Sequence, residues 1–308
     1  MKYFYTELKG ALYQPKEIFA IGNCWIIPGR QNALTRTERS LFFVRENFNE
    51  LILVLCYQFL FGNNSVMYNE YSQKIINLDF SKSEGTNIDN IEKQIRYLYG
   101  QQSTETGWDF SKLLLDFSEI EPFYTSLPVP VNFSKVFVKF SELYEKDSGF
   151  KEIISLLCDT GYFKPLYNNV LQQLAQLQTI VDAMVGEPRS KKCKECGLPR
   201  YVEKMDDFMK NRLIECGLTN PEYISLMIKV KTRLNRPARV KYIHNASYYN
   251  PVSNLVNDIR AGKLNNYKFD IEQILSKDSK EWSFVDWENV YWSYHALVCN
   301  LIYFKYFS

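Results

Sequence analysis

From Phe133 onward, apolar positions recur at steps of three and four, the spacing of one face of an α-helix. Phe133, Val136, Phe137, Phe140 and Leu143 form one stripe, and Leu166, Val170, Leu174, Leu177, Val181 and Met184 form a longer one. Gly186 and Pro188 are stop signals for the second helix. Asn220-Pro221-Glu222 is a start signal: a capping side chain, a proline at the first helical position and an acid in the first turn. The helix it opens should carry Tyr223, Met227, Val230 and Leu234 inward until Pro237 interrupts it. A last helix should run from about Val285 to Phe307, with Val290, Tyr294, Leu297, Leu301 and Phe304 on its apolar side. Four or five such helices around one core make a bundle. The first part of the chain patterns differently. Ile18 to Ile27 and Ser40 to Val44 read as short strands, Ile88, Ile91, Ile95 and Leu98 fall at helical spacing, and Gly29, Gly62, Gly100 and Gly107 punctuate the rest. Pro122, Pro128 and Pro130 break any regular element, so the boundary is expected there. The predicted architecture is mainly α: a smaller α+β domain over residues 1–128, then a helical bundle over 129–308.

Composition supports a packed protein. Hydrophobic residues are 46% and charged residues 23% of 308, close to the globular average, so a core is expected and disorder is not. Leu51 to Phe61 is the most apolar stretch, about half the length a bilayer demands. Glu7 and Lys9 occupy the positions where a signal peptide would be apolar. Seven cysteines, several in apolar surroundings (Cys56, Cys158, Cys299), fit a reducing compartment better than a disulfide framework. A soluble, cytoplasmic protein is the expectation. The net charge of +2 hides an asymmetry: residues 186–241 hold fourteen Lys or Arg against seven Asp or Glu, a net of +7. Such a segment is either the footprint of a polyanion or one solvated helix face.

Two histidines narrow the chemistry. His295 lies in the apolar run YWSYHALVCNLIYF and reads as a neutral core imidazole. His244 follows Arg236, Arg239 and Lys241, and precedes Asn245-Ala246-Ser247. It stands five positions after Arg239, a little over one helical turn, so the two long side chains can reach one pocket. Neighbouring cations disfavour the protonated imidazole, which suits a general base near neutral pH. A guanidinium fork matches phosphate oxygens. RNA cleavage needs a base for the 2′-hydroxyl and a cation for charge building on phosphorus, and His244 with Arg239 offers both, while Arg236, Lys241 and Asn245 would help bind the RNA. An Arg and a His on a polar helix face would give the same string. Cys193-Lys194-Glu195-Cys196-Gly197 is half of a zinc knuckle. Cys216 is a third thiol, no fourth ligand can be assigned, and so no bound metal or other cofactor is expected. A glycine-rich phosphate loop, HExxH and GxSxG are all missing, which leaves NTPase, zincin and serine-hydrolase readings without an anchor.

The run AQLQTIVDAMVG, a variable hairpin, the R-x4-H segment and a closing apolar helix together resemble the HEPN superfamily, most closely the ApeA-type HEPN proteins of bacterial phage defence. The resemblance begins at FSKVFVKFSELYEKDSGFKEIISLL and covers a little over half of the chain. It implies a HEPN helical bundle that cleaves RNA without metal, with Arg239 and His244 as the catalytic pair, usually across a homodimer interface. It implies abortive infection or toxin action, with a phage-derived trigger or an antitoxin as a further partner, and no membrane. Val240 stands where the family usually carries Asn or another polar residue after the Arg. Inactive HEPN domains serve as interaction modules in defence or toxin–antitoxin assemblies, so the resemblance leaves an endoribonuclease and a silent binding module open. Independently of it, one imidazole per chain is short for a reaction that uses both a base and an acid, and two-fold pairing would supply two.

Overall fold

In the computed structural model of the chain, the structure describes residues 3–9, 13–21, 24–27, 40–45, 50–62, 67–76, 113–122, 125–162, 170–186, 190–192, 199–201, 205–234 and 271–308. Helix dominates them, so the protein is mainly α. Two compact units form: Met1–Thr125 with Val129–Ser148, and Ser126–Pro128 with Gly149–Ser308.

The first unit is built on a five-stranded antiparallel sheet in the order β3-β4-β5-β1-β6. Its strands are β1 (Tyr3–Lys9), β3 (Phe19–Ile21), β4 (Cys24–Ile27), β5 (Ser40–Arg45) and β6 (Met67–Ile76). The predicted 18–27 strand region is a tight hairpin, Phe19 facing Ile26 and Ile21 facing Cys24. Two short strands, β2 (Tyr13–Pro15) and β7 (Leu113–Leu115), pair in parallel. The apolar run at 51–61 is helix α1 (Glu50–Phe61), buried from Ile52 to Phe61, because a helix that is apolar on every side finds no stable place at a surface. The Tyr57 hydroxyl donates to the Tyr13 carbonyl, tying α1 to β2.

Helix α2 (Phe133–Lys146) opens on Asn132, whose Oδ1 accepts from the Lys135 N–H at 3.1 Å. The proline-rich stretch before it is a loop closed by the bridge between Ile120 and Val131. Expected to open the C-terminal bundle, α2 belongs instead to the first unit, and its rings explain why. Phe133 stacks on Phe117 at 5.0 Å, and Phe140 lies 6.0 Å from Phe59 of α1. The division therefore falls after Ser148, one helix beyond the prolines. The stripe differs by one position: Tyr144, stacked on Phe140, is buried, and Leu143 is only half-buried.

The second unit contains six helices: α3 (Ser148–Tyr162), α4 (Val170–Val185), α5 (Met205–Glu215), α6 (Pro221–Leu234), α7 (Ile271–Ser276) and α8 (Phe284–Tyr306). A two-stranded hairpin, β8 (Ser190–Lys192) with β9 (Pro199–Tyr201), follows α4. Helix α4 is the inner member. Val170, Leu174, Leu177, Val181 and Met184 are buried as the stripe predicts, and Gln173 and Gln178 are buried with them. Gly186 ends it at φ 81°, the left-handed backbone that glycine adopts without strain. Helix α8 packs on α4, α6 and α7, and its end is tied to α3 by Phe150, whose ring lies 5.0 Å from Tyr306. Among the described residues, no helix is long and apolar enough to cross a membrane.

Helix α8 starts one residue before the expected Val285, on a signal the periodicity does not carry. Ser283 and Asp286 form a capping box: Ser283 Oγ accepts from the Asp286 N–H at 3.1 Å, and Asp286 Oδ2 accepts from the Ser283 N–H at 2.8 Å. Replacing Ser283 by Ala removes both bonds of its hydroxyl, the one accepted from the Asp286 N–H and the one donated to Asp286 Oδ2, and should destabilise the chain by about 1 kcal/mol. Urea unfolding followed by tryptophan fluorescence, which reports Trp282 and Trp287 beside the cap, measures it.

Candidate functional site

The expected catalytic segment follows α6 in sequence, and the last described turn before it is the end of that helix. Asn220 starts the helix as predicted, its Oδ1 accepting from the N–H groups of Glu222 at 2.9 Å and Tyr223 at 3.3 Å. Met227, Val230 and Leu234 point inward, and the first member of the stripe is Ile224, not Tyr223. Ile224, three positions before Met227, continues the buried face, whereas Tyr223 lines a surface groove with Glu222 and Glu272. The last turn has three anchors. Leu234 is fully buried, Arg233 donates to the Leu275 carbonyl at 3.0 Å and the Ser276 carbonyl at 3.2 Å, and Lys231 reaches α4. Arg233 thereby occupies carbonyls that the end of α7 leaves without helical partners.

The link from Lys231 to α4 is a polar seam in an apolar interface. Its ammonium pairs with Asp182 and lies 3.4 Å from Gln178 Oε1, and the Gln178 amide donates to the Lys231 carbonyl at 3.2 Å. Gln178 and Asp182 are four residues apart on α4, so one helix face presents both. The Lys231 side chain is 14% exposed and that of Asp182 30%. Such a pair lies between the surface and buried cases, and breaking it costs about 1–3 kcal/mol. Above it on α8 sits Tyr294, fully buried, its hydroxyl without a hydrogen-bond partner. Burial, with the nearby Asp182 charge, pushes that phenol well above its ordinary value. Sequence reading missed this seam. The available signal was an Asp and a Gln inside the strongest apolar stripe of the chain.

Arg236, Arg239, Val240, Lys241, His244 and Asn245 lie outside the described residues, as do Pro237, Leu166, Cys193 and Cys196. Of the site residues predicted, the structure describes Cys216. Half-buried beyond α5, its thiol donates to the Met184 carbonyl across 3.6 Å, and burial raises its pKa, which disfavours the thiolate a metal would need. No group of three His, Cys, Asp or Glu side chains is placed to hold a metal among the described residues. The end of α4 also gathers Arg212, which donates to the Val185 carbonyl at 3.1 Å, and Lys305, whose ammonium lies 3.4 Å from the Met184 carbonyl. Cations at a helix C-terminus meet the negative end of its dipole.

His295 is the core imidazole that its surroundings predict. It is 1% exposed, its Nδ1 lies 3.6 Å from Cys299 Sγ, and burial lowers its pKa to about 4. At neutral pH it is uncharged and screened from solvent, which leaves His244 as the other histidine of the chain. No protein-family model, curated protein or solved structure matches the chain.

The lowered His295 pKa links stability to pH. The unfolded imidazole takes up a proton near its ordinary value of 6.5, while the folded one resists until about 4. Between those values the unfolded state binds more protons, so stability is complete above pH 6.5 and falls as pH drops through this window, by up to about 3 kcal/mol. Unfolding free energies measured from pH 7.5 to 4 should show that fall, and His295→Gln, neutral throughout, should flatten it.

Proposed function

We propose that this chain is a metal-independent endoribonuclease that cleaves RNA through the R-x4-H pair Arg239 and His244. The single observation that carries the reading is the burial of His295: the only other histidine, His244, comes directly after the most basic segment of the chain, in the stretch that follows α6. His244 removes the proton from a ribose 2′-hydroxyl, and that oxygen attacks the adjacent phosphorus. Arg239 holds the phosphate as negative charge builds on it. A second imidazole, from a symmetric copy, protonates the departing 5′-oxygen, leaving a 2′,3′-cyclic phosphate and a 5′-hydroxyl. Arg236, Lys241 and Asn245 contact the RNA. In this reading the second unit is a HEPN-like bundle and the sheet-bearing first unit is a recognition or regulatory domain. The setting is cytoplasmic phage defence or toxin action, with a phage-derived trigger or an antitoxin as partner. Val240 favours a second reading, a catalytically silent HEPN-like interaction module, because an apolar side chain replaces the polar neighbour usual after the Arg.

Purified protein incubated with tRNA and total RNA in excess EDTA should cleave, and the new ends should be 2′,3′-cyclic phosphates. Arg239→Ala or His244→Ala should lower the rate by a factor on the order of 10² or more without unfolding the chain. Intact RNA across substrates and candidate triggers would hand the chain to the interaction-module reading.

Catalysis by two copies of His244 also requires a dimer. Apolar contacts must hold it, since pairing two basic segments costs Coulomb energy until RNA arrives. Sedimentation at micromolar concentration should show a dimer that RNA tightens, more so at low salt. A strict monomer with and without RNA would leave each active site one imidazole short.

A further inference from the structure

Helix α8 is 23 residues long and carries no Asp, Glu, Lys or Arg from Asn289 to Phe304. Such a run is expected of a helix enclosed on every side. One side of α8 is not enclosed. Val285, Asn289, Trp292, Ala296, Tyr303 and the cap residue Phe307 are each half-buried, and their spacing in threes and fours places them on a single stripe along the whole helix. Helices α3, α5, α6 and α7 meet solvent with charge: Lys151 and Glu152, Lys210, Lys229 and Glu272 are exposed on them. A surface strip that lacks charge and carries Trp, Tyr and Phe has the composition of the centre of a protein–protein interface.

The order of residues along the stripe says what fits it. A two-fold axis crossing α8 at Ala296, next to the helix midpoint, runs two copies antiparallel and sets each residue against the one equally far from Ala296 on the other helix. Val285 and Phe307 lie eleven residues to either side, and Asn289 and Tyr303 lie seven. Each smaller side chain therefore meets a ring, Val against Phe and Asn against Tyr. Ala296 itself falls on the axis, where the smallest side chain of the stripe lets the helices approach most closely. A two-fold contact brings every charge near its axis against its own copy, so a face that pairs with itself has to be neutral there. The α8 stripe meets this condition, and the segment 186–241, with its net charge of +7, does not.

We propose that this stripe is where a second copy of the chain docks, α8 against α8 in antiparallel register about Ala296. The proposal rests on the reading of the chain as a nuclease that needs a second imidazole, and it names the apolar contact that holds the two copies together.

The test is sedimentation of the full chain at micromolar concentration, with thermal unfolding of each variant alongside. Ala296→Arg sets two like charges on the axis and should raise the dimer dissociation constant on the order of a hundredfold or more. Asn289→Glu and Tyr303→Lys should each weaken the dimer, and the two together should restore it, because each Glu then faces a Lys of the other copy. Within one helix, positions 289 and 303 are about 21 Å apart, too far to pair, so restoration reports contact between copies and not folding. A dimer that survives Ala296→Arg, a double variant no tighter than its single parents, or an unmodified chain that stays monomeric would each overturn the assignment. If Ala296→Arg fails to fold, the charge-swapped pair decides. RNA cleavage is scored separately. An α8 dimer that never cleaves RNA keeps the interface and rejects the nuclease, and cleavage by Ala296→Arg chains that remain dimeric does the reverse.

Discussion

Almost every feature of the second unit follows from the need to bury α4 and α8 against each other. Val290, Tyr291, Tyr294, Val298 and Leu301 on one helix, and Leu174, Leu177, Ile180 and Val181 on the other, are removed from water. A fully buried side chain of this size contributes about 1.5–3 kcal/mol relative to leaving it exposed, so this contact outweighs any single hydrogen bond or ion pair nearby. The peripheral helices add to it: α6 lays Met227 and Val230 on the core, α7 covers the start of α8, and the Trp282 indole donates to the Ile274 carbonyl at 2.9 Å to hold that cover.

Polar groups inside such a core are costly unless geometry supplies them a partner. Gln178 and Asp182 hold Lys231 across the α4–α6 boundary, and the Asn300 amide donates to the Ala296 carbonyl at 2.8 Å within its own helix. The Tyr294 hydroxyl and Asn300 Oδ1 are buried without a partner, a cost the surrounding apolar contacts must cover. The outcome is an α6 whose register and last turn are held by Lys231, Arg233 and Leu234.

Charge is arranged differently from apolar surface. The core-facing sides of α4 and α8 are almost free of cations, while the basic residues cluster after α4 and along α5 and α6. Lys229 pairs with Glu272 at 2.8 Å on an exposed face and adds little to stability. At the end of α4, Arg212 donates to the Val185 carbonyl and pairs with Glu215 at 2.5 Å, and Lys305 lies 3.4 Å from the Met184 carbonyl.

Much of the helical part could be read from the sequence alone, because burial of a helix face writes itself as a period of three and four. The stripe of α4, the Asn220 start of α6, the extent of α8 and the buried His295 all follow from that rule and from capping chemistry. The hairpin strands at 19–27 follow from alternation and short turns. Other features depend on contacts between distant residues, which local patterns do not encode. That α2 joins the first unit is decided by the rings of Phe117 and Phe59 lying against it, and that Tyr144 and Ile224 are buried in place of Leu143 and Tyr223 is decided by which neighbour lies across the face. The pairing of Asp182 with Lys231 spans 49 residues, and the opposition of Lys191 and Arg200 depends on a strand register. Periodicity tells which side of an element is buried; only the packed structure decides against what.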